Sequence, residues 1–374
     1  MFNYLRANAD RIRDKNEEKA AGKDGRPMDV GSTRKQLFGN QLKVFRRNLR
    51  TCGTTSFLPI YLQALMVGDR LSFNLYVKVS ANGHQEVKFL PFLEAEEVLE
   101  PSWVEVLEKL EIDRIYFRRQ DLETVIAYLN NHLMLLDIHQ ESQIKKKLLV
   151  LVEHLNFTLR RAFSSPHLGR YIYLAQSQVE RLIQALQKSN TSLKLVWELL
   201  YRDYNLYNHS INVCLLGTGL MLFLHKSRHD SLIMGLAGLF HDLGMTQIPD
   251  ELIYRIEPLN PEEWEAIKKH PSLSYQMLKE SASMPAEVLQ LVREHHENTD
   301  GSGYPRGLPL AKQHPWTRII RLVDAYDGLT GHRPGRQPLT PFAALKFLQG
   351  QEGLKGTIFE PRTLKNFIRF LALP

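Results

Sequence analysis

Residues 240–250 read FHDLGMTQIPD. An imidazole and a carboxylate stand side by side at His241 and Asp242, after an apolar run and before a turn containing Gly244 and Pro249. Moving outward, His209 precedes them in YNHSINV (207–213). His270-Pro271 follows, then His295-His296-Glu297, then DGSGYP (300–305), then Asp324 in RLVDAYDGLTGHRP (321–334). Neutral imidazoles and carboxylates are ligands that divalent transition metals prefer. Here they recur between apolar stretches of helical period, which can carry them to one point. The pattern points to a helical bundle around a polynuclear metal site, and so to hydrolysis. A single histidine on a helix is more often a core or surface residue than a ligand, so the argument rests on the set and its order.

Composition narrows the surroundings. A chain of 374 residues with 43% hydrophobic content suits two or three domains with a sizeable core. The longest apolar run, Ile211 to Leu224, is broken by Asn212, Thr218 and Gly219. It is too short for a membrane span, which needs roughly 20 apolar residues. The N-terminal residues carry charges throughout and lack the apolar centre of a signal peptide. The two cysteines, Cys52 and Cys214, are far apart and form no metal-binding pair, which fits a reducing compartment. A cytoplasmic protein is expected. The net charge of +7 is concentrated at one end: residues 1–50 hold 13 Lys+Arg and 6 Asp+Glu. Such a segment could touch nucleic acid or an anionic membrane. Its polarity reads more simply as a solvated, poorly ordered leader, and nucleic acid is not an expected partner.

The texture then changes. From about Thr54, Leu71, Phe73, Leu75, Val77 and Val79 alternate with polar residues, a strand signal. Ala81-Asn82-Gly83 reads as a turn and Val87 to Leu90 as a returning strand. Trp103, Val104, Leu107 and Leu110 have helical spacing, and Ile115 to Phe117 reads as a short strand. This predicts a small α/β sensory or docking module over 54–135, with no phosphate loop, dinucleotide fingerprint or metal cluster. Leu148, Leu149, Leu151, Val152 and Leu155 form one helical stripe, and Leu182, Ile183 and Leu186 another, with Pro166 and Gly169 between them. Residues 136–194 therefore read as a helical connector, a candidate surface for a homodimer. The whole is mainly α: an all-helical C-terminal bundle over 195–374, preceded by the α/β module and the connector.

The blocks YNHSINV (207–213), HDLGMTQIPDELI (241–253), HPSLSYQML (270–278), REHHENTDGSGYPRGL (293–308) and RIIRLVDAYDGLTGHRPGR (318–336) together resemble the HD-GYP domain. This is a branch of the HD superfamily of metal-dependent phosphohydrolases, and the resemblance covers about half the chain. It implies an HD-type bundle and hydrolysis of cyclic di-GMP to linear pGpG, with some members continuing to GMP. It implies two divalent metals, most often iron or manganese, held by His209, His241, Asp242, His270, His295, His296 and Asp324. How the histidines divide between the metals is left open. His241 and Asp242 are the expected catalytic pair, Asp242 as bridge. Two metals about 3.5–4 Å apart clamp a phosphoryl group for in-line displacement and lower the pKa of a water. On the substrate side the resemblance places Arg333, Arg336 and Tyr304. Guanidinium forks suit phosphate, and Gly301-Ser302-Gly303 lets the loop bend sharply before Tyr304. Asp327 lies three residues after Asp324 and is grouped with the same region; it could orient a ligand or a metal-bound water, or make a plain helix contact. Glu297 is either an outer partner of an imidazole or a surface carboxylate.

Two positions depart from the family pattern. The motif His-Asp-Ile-Gly-Lys carries Met245 in place of lysine, which removes a positive charge near the scissile phosphate. Such charges are a large part of catalysis by electrostatic clamping. Members with three metals have a Glu four residues before the first histidine; here that position is Asn205, and a neutral amide is a poor metal ligand. Two metals and a pGpG product are therefore expected. The competing reading is a catalytically weak domain that binds cyclic di-GMP or a signalling protein partner; a further one is another cyclic dinucleotide as substrate.

Overall fold

A computed structural model describes residues 56–80, 87–136, 141–165, 167–188, 190–201, 205–253, 255, 257–281, 284–332, 337–353 and 356–373. The basic leader, the turn at 81–83 and both Arg333 and Arg336 lie outside these residues. The chain packs as two compact units. Among the described residues, the first holds 56–62, Met66–Leu122 and Glu257–Asn260; the second holds Gln63–Leu65 and those within 123–256 and 261–373.

The first unit is a four-stranded antiparallel sheet of order β1-β4-β2-β3, with β1 Phe57–Tyr61, β2 Leu75–Ser80, β3 Val87–Leu93 and β4 Arg114–Arg118, plus helix α1, Pro101–Lys109. Leu58, Ile60, Leu75, Val77, Ile115 and Phe117 alternate inward and are buried, the period of two that a half-covered sheet requires. The alternation in sequence begins at Leu71, whereas the strand begins at Leu75. Leu71 and Phe73 are buried, but Leu71 pairs through its backbone with Glu96 and Glu97, and Asn74 Oδ1 accepts from Ala95 N. Burial keeps its period there while the backbone leaves the ladder. The sequence reading gave no strand at Phe57–Tyr61. Pro59 removes a donor and hides the signal, and β1 tolerates it because it is an edge strand, as does β3 with Pro91.

The second unit is helical. Helix α2 spans Leu122–Leu135, α3 Glu141–Ser164, α4 Leu168–Leu186 and α5 Asn190–Leu199. Both connector stripes are buried, Leu148 and Leu182 completely. Next come α6 (Leu206–Phe223) and α7 (Arg228–Phe240). Helix α6 is buried on every side from Asn208 to Leu222, which marks it as the centre of the bundle. After α7, a tight turn over Leu243–Gln247 leads through two short helical segments to α8 (His270–Glu280), α9 (Ala286–Glu294), α10 (Thr317–Thr330), α11 (Pro341–Gln349) and α12 (Pro361–Leu371). No helix among the described residues is long and apolar enough to cross a membrane.

Candidate metal centre

Helix ends supply most of the centre. His241 follows the last residue of α7, His270 opens α8, and His295 follows α9. Each folds back so that its Nδ1 meets the carbonyl three residues earlier: His241 to Gly238 O at 2.9 Å, His270 to Ile267 O at 2.8 Å, His295 to Val292 O at 2.6 Å. A carbonyl can only accept, so each Nδ1 carries the proton. His209, on the second turn of α6, donates Nδ1–H to Asp327 Oδ2 at 2.7 Å. In all four rings Nε2 is therefore the nitrogen turned inward, toward the other candidate ligands.

Those Nε2 atoms face one another. His209 and His241 lie 3.2 Å apart at Nε2, and His270 and His295 3.1 Å. Two lone pairs cannot hydrogen-bond to each other, so each pair could face a cation. Ligand atoms of His209, His241 and Asp324 all lie within 4.8 Å of one another, and so do those of Asp242, His270, His295 and His296. The sequence left this division open. Asp242 turns one oxygen to each group: Oδ1 is 3.1 Å from His270 Nε2 and 3.6 Å from His295 Nε2, and Oδ2 is 3.4 Å from His241 Nε2 and 3.7 Å from His209 Nε2. Asp324 Oδ1 is 3.2 Å from His209 Nε2, and Oδ2 is 3.6 Å from His296 Nδ1. That His296 nitrogen is buried without a hydrogen-bond partner among the described residues. All seven side chains are buried.

The electrostatics agree. Burial brings the His295 imidazole down to about 4 and holds His296 well below its ordinary value, so both are neutral near pH 7. Burial alone would raise the two aspartates. The surrounding imidazoles outweigh it, His241, His270 and His295 at Asp242 and His209 and His296 at Asp324. Both stay well below the usual carboxylate range. Neutral imidazoles with ionised, buried carboxylates make a donor set that a divalent cation fits.

The supporting residues are built in. Gly244 has no room for a side chain: a Cβ would lie 2.3 Å from His270 O. Ser274 Oγ accepts from Gly244 N and donates to His241 O, both at 2.7 Å, and so pins the His241-Asp242 turn to α8. Glu297 is buried and receives Arg306 N and Leu308 N on its two oxygens, so it holds the GYP loop and neither orients an imidazole nor faces solvent. Gly301 adopts φ +75°, and a Cβ on Gly303 would lie 2.3 Å from Asn298 N. The loop so formed stacks Tyr304 on His296, ring centroids 4.7 Å apart.

Asp327 needs a correction. It was grouped with substrate contacts, but it is buried, and both oxygens are engaged within the protein, Oδ2 by His209 and Oδ1 by Asn212 Nδ2 at 2.7 Å. It orients the His209 ring. Asn205 does not share a helical face with His209. It is the N-cap of α6, with Oδ1 accepting from Tyr207 N and Asn208 N. Met245 is half-buried in the turn after Asp242, its N–H bonded to Asp242 O. Sequence reasoning missed Ser274, Asn212 and Arg321. The last two could have been found from spacing, since Asn212 lies three residues after His209 and Arg321 three before Asp324.

The HD domain family profile matches residues 207–355. The chain is 33% identical over 147 residues to the cyclic di-GMP phosphodiesterase response regulator RpfG of Xanthomonas campestris, covering 39% of this chain and 38% of that protein. It is 30% identical over 190 residues to the cyclic di-GMP phosphodiesterase PA4108 of Pseudomonas aeruginosa, covering 50% and 44%. The chain thus spans less than half the length of these curated relatives. Among solved structures, Bd1817, an HDG"Y"P protein from Bdellovibrio bacteriovorus, has the same fold, with a TM-score of 0.63 at 18% identity over 84% of this chain and 99% of that one. Residues 207–355 thus match the HD domain, and the ordered histidine and aspartate blocks from His209 to Asp324 all lie within that stretch.

Proposed function

We propose that the protein hydrolyses cyclic di-GMP to linear pGpG with two divalent metal ions, iron or manganese. The observation that carries this reading is the pair of facing Nε2 couples, His209 with His241 and His270 with His295, on either side of Asp242. Two divalent cations held there would supply charge neutralisation at a phosphodiester and a water acidified to near-neutral pH.

The chain's own residues do the rest. His209, His241 and Asp324 would hold one cation, and His270, His295 and His296 the other. Asp242, with an oxygen toward each group, would serve both. Imidazoles and carboxylates without a thiolate suit iron or manganese. Asp327 keeps the His209 proton on Nδ1 and so keeps Nε2 bare. Tyr304, stacked on His296, offers a ring face to a sugar or base of the substrate. We assign Arg333 and Arg336 to its phosphates, where guanidinium forks fit. The Asn205 carboxamide is committed to the helix cap, which supports two metals rather than three and a reaction ending at pGpG. With Met245 at the lysine position, charge at the phosphate is left to the cations and these arginines.

The test is turnover of cyclic di-GMP by protein purified without oxygen and loaded with iron or manganese, with products separated by chromatography. Accumulation of pGpG, abolished by Asp242→Asn, is the expected result. No product from fully metallated protein would sink the reading. Cleavage of a mixed-base cyclic dinucleotide in preference would change the substrate and keep the chemistry.

A further inference from the structure

His209 is supported by a series of contacts that ends on the connector helix. Its Nδ1–H donates to Asp327 Oδ2 at 2.7 Å. Asp327 Oδ1 accepts from Asn212 Nδ2 at 2.7 Å. Asn212 also grips the backbone of Tyr201 twice: Oδ1 accepts Tyr201 N–H at 2.9 Å, and Nδ2 donates to Tyr201 O at 2.8 Å. The Tyr201 hydroxyl donates to Glu153 Oε1 at 3.0 Å, and Glu153 lies in the middle of α3. None of the five residues is more than 4% exposed.

We propose that Glu153 and Tyr201 are positioning residues of the metal centre, acting on His209 through Asn212 and Asp327; this rests on the metal-centre reading above. The chemistry of each member leaves it little freedom. Asn212 meets one donor and two acceptors, so its amide can neither flip nor turn without breaking three bonds. Asp327 is held at both oxygens. A broken link would leave a buried polar group unsatisfied, which costs more than the bond itself contributes. The direction of the His209 ring is therefore set by Asp327, Asp327 by Asn212, and Asn212 by the Tyr201 backbone. The place of that backbone is tied through its own ring to α3. A second tie runs alongside, from Asn156 Nδ2 on α3 to Asn208 Oδ1, the residue before His209, at 2.9 Å. The connector helix is thus part of the support of a metal ligand, and a shift of α3 is felt at His209. The plainer reading is that these contacts only satisfy buried polar groups in the bundle, with no bearing on metal.

Metal binding separates the two. Full-length Tyr201→Phe removes the donor and Glu153→Met the acceptor of the Tyr201–Glu153 hydrogen bond, each with little change of shape. Thr158→Val is the control: it breaks the bond from Gln178 to Thr158 on the same helix, equally buried and off the series. Manganese affinity and stoichiometry are measured by chelator competition and elemental analysis, with melting of the metal-free proteins alongside. Removing an outer-shell partner typically weakens a metal site about 10- to 100-fold. One step further out, Tyr201→Phe should weaken one of the two manganese ions about 3- to 10-fold. Glu153→Met should do the same, and Thr158→Val should leave affinity unchanged even where it lowers melting. Tyr201→Phe should add little in an Asp327→Asn background, where the series is already cut. Wild-type affinity in both variants, or a full additive loss over Asp327→Asn, overturns the proposal. If one variant fails to fold, the other decides. A wild-type protein that takes up no manganese or iron would instead sink the metal-centre reading itself.

Discussion

Arg321 and Asp324 stand one turn apart on α10, both buried, with Arg321 Nη1 3.7 Å from Asp324 Oδ2. The guanidinium also donates from Nε to Asn298 Oδ1 at 3.1 Å and lies over Phe359, 4.9 Å from the ring centroid. A positive charge therefore sits beside a carboxylate that also faces the candidate metal centre. Its effect changes sign with metal. In the metal-free protein it offsets buried negative charge; beside bound cations it repels them.

Arg321→Met should accordingly destabilise the metal-free protein more than the loaded one. Removing one partner of a buried ion pair costs about 3–5 kcal/mol. The 3.7 Å separation places this case at the lower end. Urea unfolding with and without manganese reads the difference. An equal loss in both forms would show that Arg321 serves packing and the Asn298 bond, with no electrostatic link to the centre.

Metal itself should be a large part of the stability of the second unit. Without it, two couples of inward Nε2 lone pairs and two ionised carboxylates share one buried space. A ligand at about 100 times its dissociation constant stabilises a fold by about 2.7 kcal/mol per site. For a unit of this size that is a rise in melting temperature of roughly 5–10 °C. Asp242→Asn should remove most of the rise, because that residue faces both groups. A melting temperature indifferent to manganese, iron and chelator would contradict the ligand set.

Asn205 offers a test of metal number. If its carboxamide serves the cap alone, Asn205→Ala should cost about 1 kcal/mol, the usual loss for an N-cap. Asn205→Asp should cost little, since aspartate caps as well. Neither should change the number of metals per chain. A third metal lost on Asn205→Ala would show that the amide oxygen is a ligand after all.

What could be read in advance follows from how locally each feature is encoded. The connector stripes were legible because Leu148 to Leu155 and Leu182 to Leu186 repeat with the helix period. The candidate ligands were legible as a set because imidazole and carboxylate blocks recur in order. The division of ligands was not, because it depends on which helix ends meet. Ser274 joins α8 to the His241-Asp242 turn from thirty-odd residues away, and Asp327 reaches Asn212 across the bundle. Such contacts leave no local pattern. The capping role of Asn205 was not read in advance, although its short polar side chain just before an apolar run is a helix-start signal. Strand β1 was hidden by Pro59, which only the finished sheet shows to lie on an edge.

His154 gives a prediction about pH that does not involve the metal ligands. It is buried on α3, and its Nδ1 accepts from Gln178 Nε2 at 2.7 Å. Burial first, and the nearby Arg181 charge second, bring its pKa to about 4. The unfolded chain has a value near 6.5. Above about pH 6.5 the ring is neutral in both states and costs nothing. As pH falls from 6.5 to 4, the unfolded chain binds a proton that the folded one refuses, so stability drops with falling pH. The loss levels off below pH 4 at about 3 kcal/mol, from about 1.4 kcal/mol for each pKa unit. His154→Gln keeps an acceptor for Gln178 and removes the titration. The difference in unfolding free energy between this variant and the wild type should therefore move by about 3 kcal/mol in the variant's favour between pH 7 and pH 4. Carboxylates and metal-site histidines titrate in both proteins and cancel in that difference. A difference that stays flat across this window would mean that His154 takes up its proton in the folded protein near its ordinary pKa.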